Sequence, residues 1–302
     1  MNTSKKNPSV SLTNNTSPLS KKIILAWFLG VAGLVLAALL GEYLEKRGAS
    51  ESLRYSSQAI LMAGLVFFGI QLMRIKFDKS QRIHIGFGRF QPSVLKFILG
   101  LGLITVPIAL TIGIMLIFGW GNVNFNFSGV SLSAIAIGMG TVFLFEALPE
   151  ELLFRGYIYS QLNTKVKRWK SAVFTICLFA ILPVAVHIFQ TVIFGLNINF
   201  GGNSTITPSF LITLIFFGAF TQYLRILTGS IWTSIGFHLI FVYMNQLIGV
   251  ESTNLIQFTD LTNETPAQIT LIVLLLIVFV VLLAYPRLVK RKLGWNKTTG
   301  TA

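Results

Sequence analysis

Long apolar runs recur along the whole chain, and they dictate its environment. They fall at about Ile23–Leu40, Ala59–Met73, Val94–Trp120, Leu132–Leu162, Ser171–Leu196, Ser209–Ile226, Ser230–Ile248 and Ala267–Tyr285. A bilayer-spanning helix needs about 20 predominantly apolar residues, and most of these runs meet or approach that length. Ala59–Met73 is the shortest. Leu132–Leu162 is longer than a bilayer requires, so it must tilt or emerge from the membrane. Only 11% of the 302 residues are charged, against about 25% in ordinary soluble domains. The sequence therefore predicts an all-α, polytopic membrane bundle of about eight transmembrane helices.

The basic residues fix an orientation. With the N-terminus placed inside, 21 of the 24 Lys and Arg residues fall in inside segments, leaving only Lys46, Arg47 and Arg54 outside. Three of the four outside segments, Gly121–Ser131, Asn197–Pro208 and Gly249–Pro266, contain no Lys or Arg. Cytoplasmic loops carry the excess of basic residues, so both termini are expected in the cytoplasm of a plasma-membrane protein. The formal net charge of +14 reflects scarce acids rather than a basic stripe, which argues against nucleic acid as a partner and for the lipid bilayer.

Four segments follow from this reading. Residues 1–20 are polar and too poor in apolar side chains to fold, so they form a disordered cytoplasmic tail. Residues 21–131 hold the N-terminal spans, 132–248 a catalytic core, and 249–302 the last span and a basic tail. The first run is too long for a secretory signal and reads as an uncleaved span. Lys76–Pro92 mixes charges with Phe77, Phe87 and Phe90 and belongs at the interface; its Gly86-Phe87-Gly88 is too short for a phosphate loop. Cys177, alone in the chain, excludes an intrachain disulfide. No fixed-period repeat is present.

Against that apolar background, a few ionisable groups stand out. Glu146, Glu150, Glu151 and Arg155 lie on the fourth run, His187 on the fifth and His238 on the seventh; His84, in the interfacial loop, reads as a surface residue. A charged side chain at the bilayer centre costs about 2.5–3.5 kcal/mol on insertion scales, so such groups need partners and mark functional sites. Glu146 and Glu150 share a helical face, and Glu151 precedes Arg155 by four, the favourable order for an ion pair. Glu150 and Glu151 point about 100° apart. The expected division has Arg155 holding Glu151 while Glu150 faces a cavity. Two adjacent carboxylates in low dielectric titrate as a coupled pair, a condition suited to general acid–base work. Glu150 lies about 18 Å of helix rise from the inner end of its span. His238 lies at a comparable depth, and so does His187, subject to the kink at Pro183. Singly, Arg155 would serve as a snorkelling anchor and each histidine as a hydrogen-bonded core residue; together they favour one shared site.

The segment Glu150-Glu151-Leu152-Leu153-Phe154-Arg155-Gly156-Tyr157 resembles the first motif, Glu-Glu-x-x-x-Arg, of the CPBP intramembrane proteases, which include type II CAAX prenyl proteases and bacteriocin-processing or self-immunity proteins. Thr228–His238 resembles the last histidine motif, and His187 falls where the middle histidine belongs. Two positions depart from the pattern: Pro183 stands where the middle motif has Phe, and Val242 where the last motif commonly has Asn. Asn245, seven residues after His238, shares that helical face. The resemblance implies that Glu150 and His187 activate a water for peptide hydrolysis. It implies that His238 and Asn245 stabilise the oxyanion, with Glu151 and Arg155 as a supporting pair. It also implies either one divalent metal, zinc, held by Glu150, His187 and His238, or a metal-free glutamate mechanism. The substrate implied is a small peptide, prenylated or bacteriocin-like. A proton-coupled transporter and a non-catalytic immunity or scaffold protein on the same fold are the competing readings.

Overall fold

The computed structural model describes residues 17–78, 84–126, 131–195, 206–249, 255–259 and 265–298, and of Asn245 and Gln246 the backbone alone. The expected cytoplasmic tail 1–20 lies mostly outside the described residues. Among the described residues eight helices follow one another: α1 Leu19–Lys46, α2 Glu51–Phe77, α3 Phe90–Ile117, α4 Leu132–Lys165, α5 Arg168–Ile193, α6 Pro208–Thr228, α7 Trp232–Leu247 and α8 Thr265–Leu288. Seven are long and apolar enough to cross a bilayer, and the protein is a multi-pass membrane protein. The short run at Ala59–Met73 extends into a helix of 27 residues because polar flanks, capped at Ser50, continue it beyond the apolar stretch.

The exterior of the bundle is apolar. Ile60, Phe68, Leu72, Leu95, Val106 and Val280 all face outward and exposed, the reverse of a water-soluble surface and suited to lipid. Helix α7 is the exception. Its 16 residues span about 24 Å, short of the roughly 30 Å hydrocarbon core, but Thr233–Ile240 are continuously buried. It is a central helix sheathed by the others, so its length need not match the bilayer.

Two glycines allow that burial. A Cβ on Gly236 of α7 would run into the Phe97 carbonyl of α3, and one on Gly100 of α3 would run into the Thr233 carbonyl of α7. With no side chain at either place, the two backbones meet directly, as small residues permit in membrane helix pairs.

The two ends of the bundle differ. At one end lie the start of α1, the end of α2, the end of α4, the start of α5, and the segment after α8. Lys22 Nζ meets Asp78 Oδ1 at 2.6 Å, Gln161 Nε2 donates to Asp78 Oδ2 at 2.7 Å, and Arg168 N donates to the Lys297 carbonyl at 3.1 Å. This basic end matches the Lys- and Arg-rich segments of the sequence. Lys22, near the start of α1, is buried against Asp78.

The other end carries a three-stranded sheet that the all-α expectation did not include. Strand β1 (Asn122–Phe125) pairs antiparallel with β3 (Ile256–Thr259), and β2 (Ile248–Gly249) pairs parallel with β3. These strands come from segments read as plain outside loops. Asn122-Val123-Asn124-Phe125 alternates polar and apolar residues, the period-2 signature of a strand, so the signal was present.

If the α3–α7 contact is as close as this, Gly236→Leu must push the helices apart. Overpacking costs about 1–3 kcal/mol in soluble cores, and a backbone obstacle should reach the upper part of that range. The melting temperature of the purified protein in detergent is expected to fall, whereas Gly64→Ala, facing open space, should leave it nearly unchanged.

Candidate active site

Proline at position 149 shapes the helix that carries the acids. It has no N–H to offer the carbonyl one turn back, and the helix around it widens. Phe143–Ala147 and Leu152–Ile158 are π-helical, closed by i→i+5 bonds from Leu148 N to Phe143 O and from Tyr159 N to Phe154 O. Such turns are rare and recur at functional sites. Only Leu148–Glu151 keeps α-helical geometry between them.

Arg155 is a fully buried charge. Its side chain is fully buried, and Nη1 lies 3.1 Å from Glu151 Oε1, whose side chain is fully buried too. Nη2 donates to Thr221 Oγ1 at 2.5 Å and to the Gly218 carbonyl at 3.3 Å, both on α6. The guanidinium sits 4.3 Å from the ring centroid of Phe179 on α5, a cation–π contact. One cation thus ties together α4, α5 and α6.

His238, on the central α7, completes the chain. Its Nδ1 is 3.1 Å from the same Glu151 Oε1. Its Nε2 is 3.9 Å from Glu150 Oε2, beyond direct hydrogen-bond range and at a spacing where a bridging water is the natural question. Phe217 of α6 meets the imidazole edge-on, with centroids 4.7 Å apart. Glu151 Oε1 is an acceptor placed for an Nδ1–H of His238. In a neutral ring with that tautomer, Nε2 is an acceptor turned towards Glu150.

The Glu151–Arg155 pair therefore forms where the spacing predicts it, and Glu151 does more than anticipated: it contacts the imidazole directly. Glu150, on the accessible side, has 16% of its side chain exposed. Glu146 lies half-buried one turn earlier, within electrostatic range of His238. His187, half-buried on α5 before the π-helical turn Phe189–Ile193, accepts Thr191 Oγ1 at its carbonyl at 2.7 Å. Among the described residues no group of three or more His, Cys, Asp or Glu side chains is disposed to hold a metal ion. Glu150 and His238 approach each other, but with His187 they do not make the three-ligand zinc set that the resemblance implies. The side chain of Asn245 lies outside the described residues.

A short strap closes the basic end of the site. Segment 84–88 turns at Gly86 (φ +89°) and Gly88 (φ +69°). Its carbonyls accept from Ser160 Oγ, Arg225 Nη2, Ile231 N, Ser230 Oγ and Trp232 Nε1 at 2.8–3.3 Å. Arg225 also donates from Nε to the Arg155 carbonyl at 3.1 Å. Burial and the nearby Arg225 guanidinium push the His84 imidazole below its usual range. The sequence marked neither Thr221 nor Arg225 as part of the site; their signal is a hydroxyl and a guanidinium inside the otherwise apolar run Ser209–Ile226.

Residues 130–244 match the family model described as type II CAAX prenyl endopeptidase Rce1-like. This segment, less than half of the chain, is similar to that family. It is a protease family, and the matched residues include Glu146, Glu150, Glu151, Arg155, His187 and His238, stopping one short of Asn245. Comparison with curated proteins and with solved structures gives no match. The Rce1-like segment runs from the start of α4 almost to the end of α7, so it contains every side chain in the Arg155–Glu151–His238 chain.

Removing one member of a buried ion pair costs about 3–5 kcal/mol, whereas replacing both is far milder. Glu151→Gln is expected to destabilise the protein strongly. Adding Arg155→Met should recover a large part of the loss, visible as a higher melting temperature for the double variant than for Glu151→Gln alone.

Proposed function

We propose that the protein is an intramembrane endopeptidase that hydrolyses a peptide bond in a small or lipid-modified peptide. The observation that carries this reading is the pair of acceptors 3.9 Å apart, Glu150 Oε2 and His238 Nε2, inside an Rce1-like segment. A water held between them donates one hydrogen to each, which orients its lone pairs towards a substrate carbonyl.

Glu150 takes the proton as the water oxygen bonds to the carbonyl carbon. The tetrahedral intermediate collapses when Glu150 returns that proton to the amide nitrogen, and the C–N bond breaks to give an acid and an amine. His238 keeps the water in register. Glu151, clamped by Arg155, keeps His238 in the Nδ1–H tautomer, the positioning role a carboxylate plays behind a catalytic imidazole. In this mechanism Glu150 and His238 touch the reacting water, while Glu151 and Arg155 position. The basic end faces the cytoplasm by the distribution of Lys and Arg.

A second reading has support from one feature. Pro183 stands four residues before His187, and His187 does not join Glu150 and His238 in a ligand cluster. That departure favours a non-catalytic immunity or scaffold protein on this fold.

The two readings separate on Glu150. Loss of a general base lowers rates about 10²–10⁴-fold, and among the described residues the Glu150 side chain makes no direct hydrogen bond, only the 3.9 Å approach to His238. Glu150→Gln is therefore expected to reduce cleavage of peptides with and without a prenylated cysteine by at least 10²-fold while the melting temperature stays at the parent value. Undiminished cleavage by Glu150→Gln would contradict the mechanism, and unchanged biological protection by a cleavage-dead variant would favour the scaffold.

A further inference from the structure

Two basic segments far apart in the sequence are folded against each other at the basic end. Helix α8 stops at Leu288 and the chain turns back. Lys290 N donates to the Arg287 carbonyl at 3.2 Å and Arg291 N to the Pro286 carbonyl at 2.7 Å, a pair of bonds that closes a helix around a left-handed residue. That residue is Lys290 (φ +53°), the one non-glycine residue with positive φ among those described. Glycine usually fills such a place, because a side chain there is strained. Residues 291–298 then run beside the turn between α4 and α5. Arg168 N donates to the Lys297 carbonyl at 3.1 Å and Trp169 N to the Trp295 carbonyl at 3.3 Å. The Arg168 guanidinium donates to the Leu293 carbonyl, and the Leu293 side chain is buried. The Trp295 ring stacks on Tyr223 of α6, with centroids 6.2 Å apart.

This docking joins two runs of exposed cations. Lys165, Lys167 and Lys170 come from the α4–α5 turn, and Lys290, Arg291 and Lys292 from the returning tail. No Asp or Glu occurs from residue 152 to 250 or from 265 to 302, so neither run contains an acid. Asp78, the acid described at this end, is buried and already taken by Lys22 and Gln161. The cations border apolar surface: Leu288, Val289, Trp169 and Trp295 are exposed. Tryptophan rings gather at headgroup level in membrane proteins. Orientation in a bilayer needs only the number of cations on one side; it does not need a tail held to a turn by main-chain bonds.

We propose that the returning tail and the α4–α5 turn form a binding surface for an anionic phospholipid. Its phosphate lies among the cations of both runs, and its acyl chains lie along Leu288 and Val289. Like charges brought together repel, and an anion between the two runs offsets that repulsion. Clusters of Lys and Arg immediately beside the end of a membrane helix recognise anionic lipids. The surface includes no member of the Arg155–Glu151–His238 chain, so the inference does not rest on the proposed hydrolysis.

The test titrates full-length protein in a neutral detergent with short-chain phosphatidylglycerol and, separately, with phosphatidylcholine of the same chains. Bound lipid is counted by native mass spectrometry. The parent is expected to bind phosphatidylglycerol about 10-fold tighter. Lys290→Gln/Arg291→Gln/Lys292→Gln, which alters exposed side chains only, should bring the two lipids near parity. Lys46→Gln/Arg47→Gln/Arg54→Gln removes as many cations from the other end and should leave the preference intact. Trp295→Ala keeps every cation but releases the tail from Tyr223, and should weaken the preference. Equal binding by the parent, a preference that survives the tail substitutions, or an equal loss from the other end would overturn the inference. Displacement of the lipid by inorganic phosphate at equal concentration would mark a free-anion site and overturn it too. An undiminished preference in Trp295→Ala would show that the charges act without the docked tail, against the surface proposed.

Discussion

Everything in the site depends on one buried carboxylate held from two sides. Glu151 Oε1 receives Arg155 at 3.1 Å and His238 at 3.1 Å, and none of the three groups can reach bulk water. Desolvating such charges costs several kcal/mol per ion even after relaxation, and good geometry with further hydrogen bonds is what offsets it. Thr221, the Gly218 carbonyl and the Phe179 face supply that support. The pairing also links α4 to α6 and α7, so the charge chain organises the bundle around it.

The helix geometry serves the same end. A short central α7 is tolerable only because lipid never sees it, and it is central only because Gly100 and Gly236 let α3 come into backbone contact. This fixes the depth and rotation of His238. On the other side, Pro149 breaks the regular ladder of α4, and the two π-helical turns around it set where Glu146, Glu150, Glu151 and Arg155 point. Irregular backbone in a membrane protein is tolerated where the protein itself re-satisfies it. Here it coincides with the acids.

Much of this was legible in the residues. Apolar runs located all eight helices, because in a bilayer length and hydropathy decide the secondary structure almost alone. The i, i+4 spacing of Glu151 and Arg155 gave their ion pair, and the rarity of deep acids and histidines pointed to Glu150 and His238 as neighbours. Other features escaped for physical reasons. The sheet joins β1 to strands more than a hundred residues later, a non-local pairing that four-residue strands barely announce. The 100° rule holds between Glu150 and Glu151 within Leu148–Glu151, but it does not say which of the two turns towards α7, so the contact of His238 with Glu151 was missed. The roles of Thr221 and Arg225 depend on which face of α6 turns inward. His187 was grouped with the other two by depth and by its place in the motif order, and neither specifies rotation about a helix that contains Pro183.

The tautomer of His238 is the most direct check. With only three histidines in the chain, ¹⁵N-histidine solid-state NMR of the protein in bilayers can resolve each ring, with His238 assigned by its loss in His238→Gln. The account requires a neutral His238 ring with the proton on Nδ1 and a bare Nε2, and a change of that pattern in Glu151→Gln/Arg155→Met. A ring protonated on Nε2 alone, or a pattern indifferent to loss of Glu151, would contradict it.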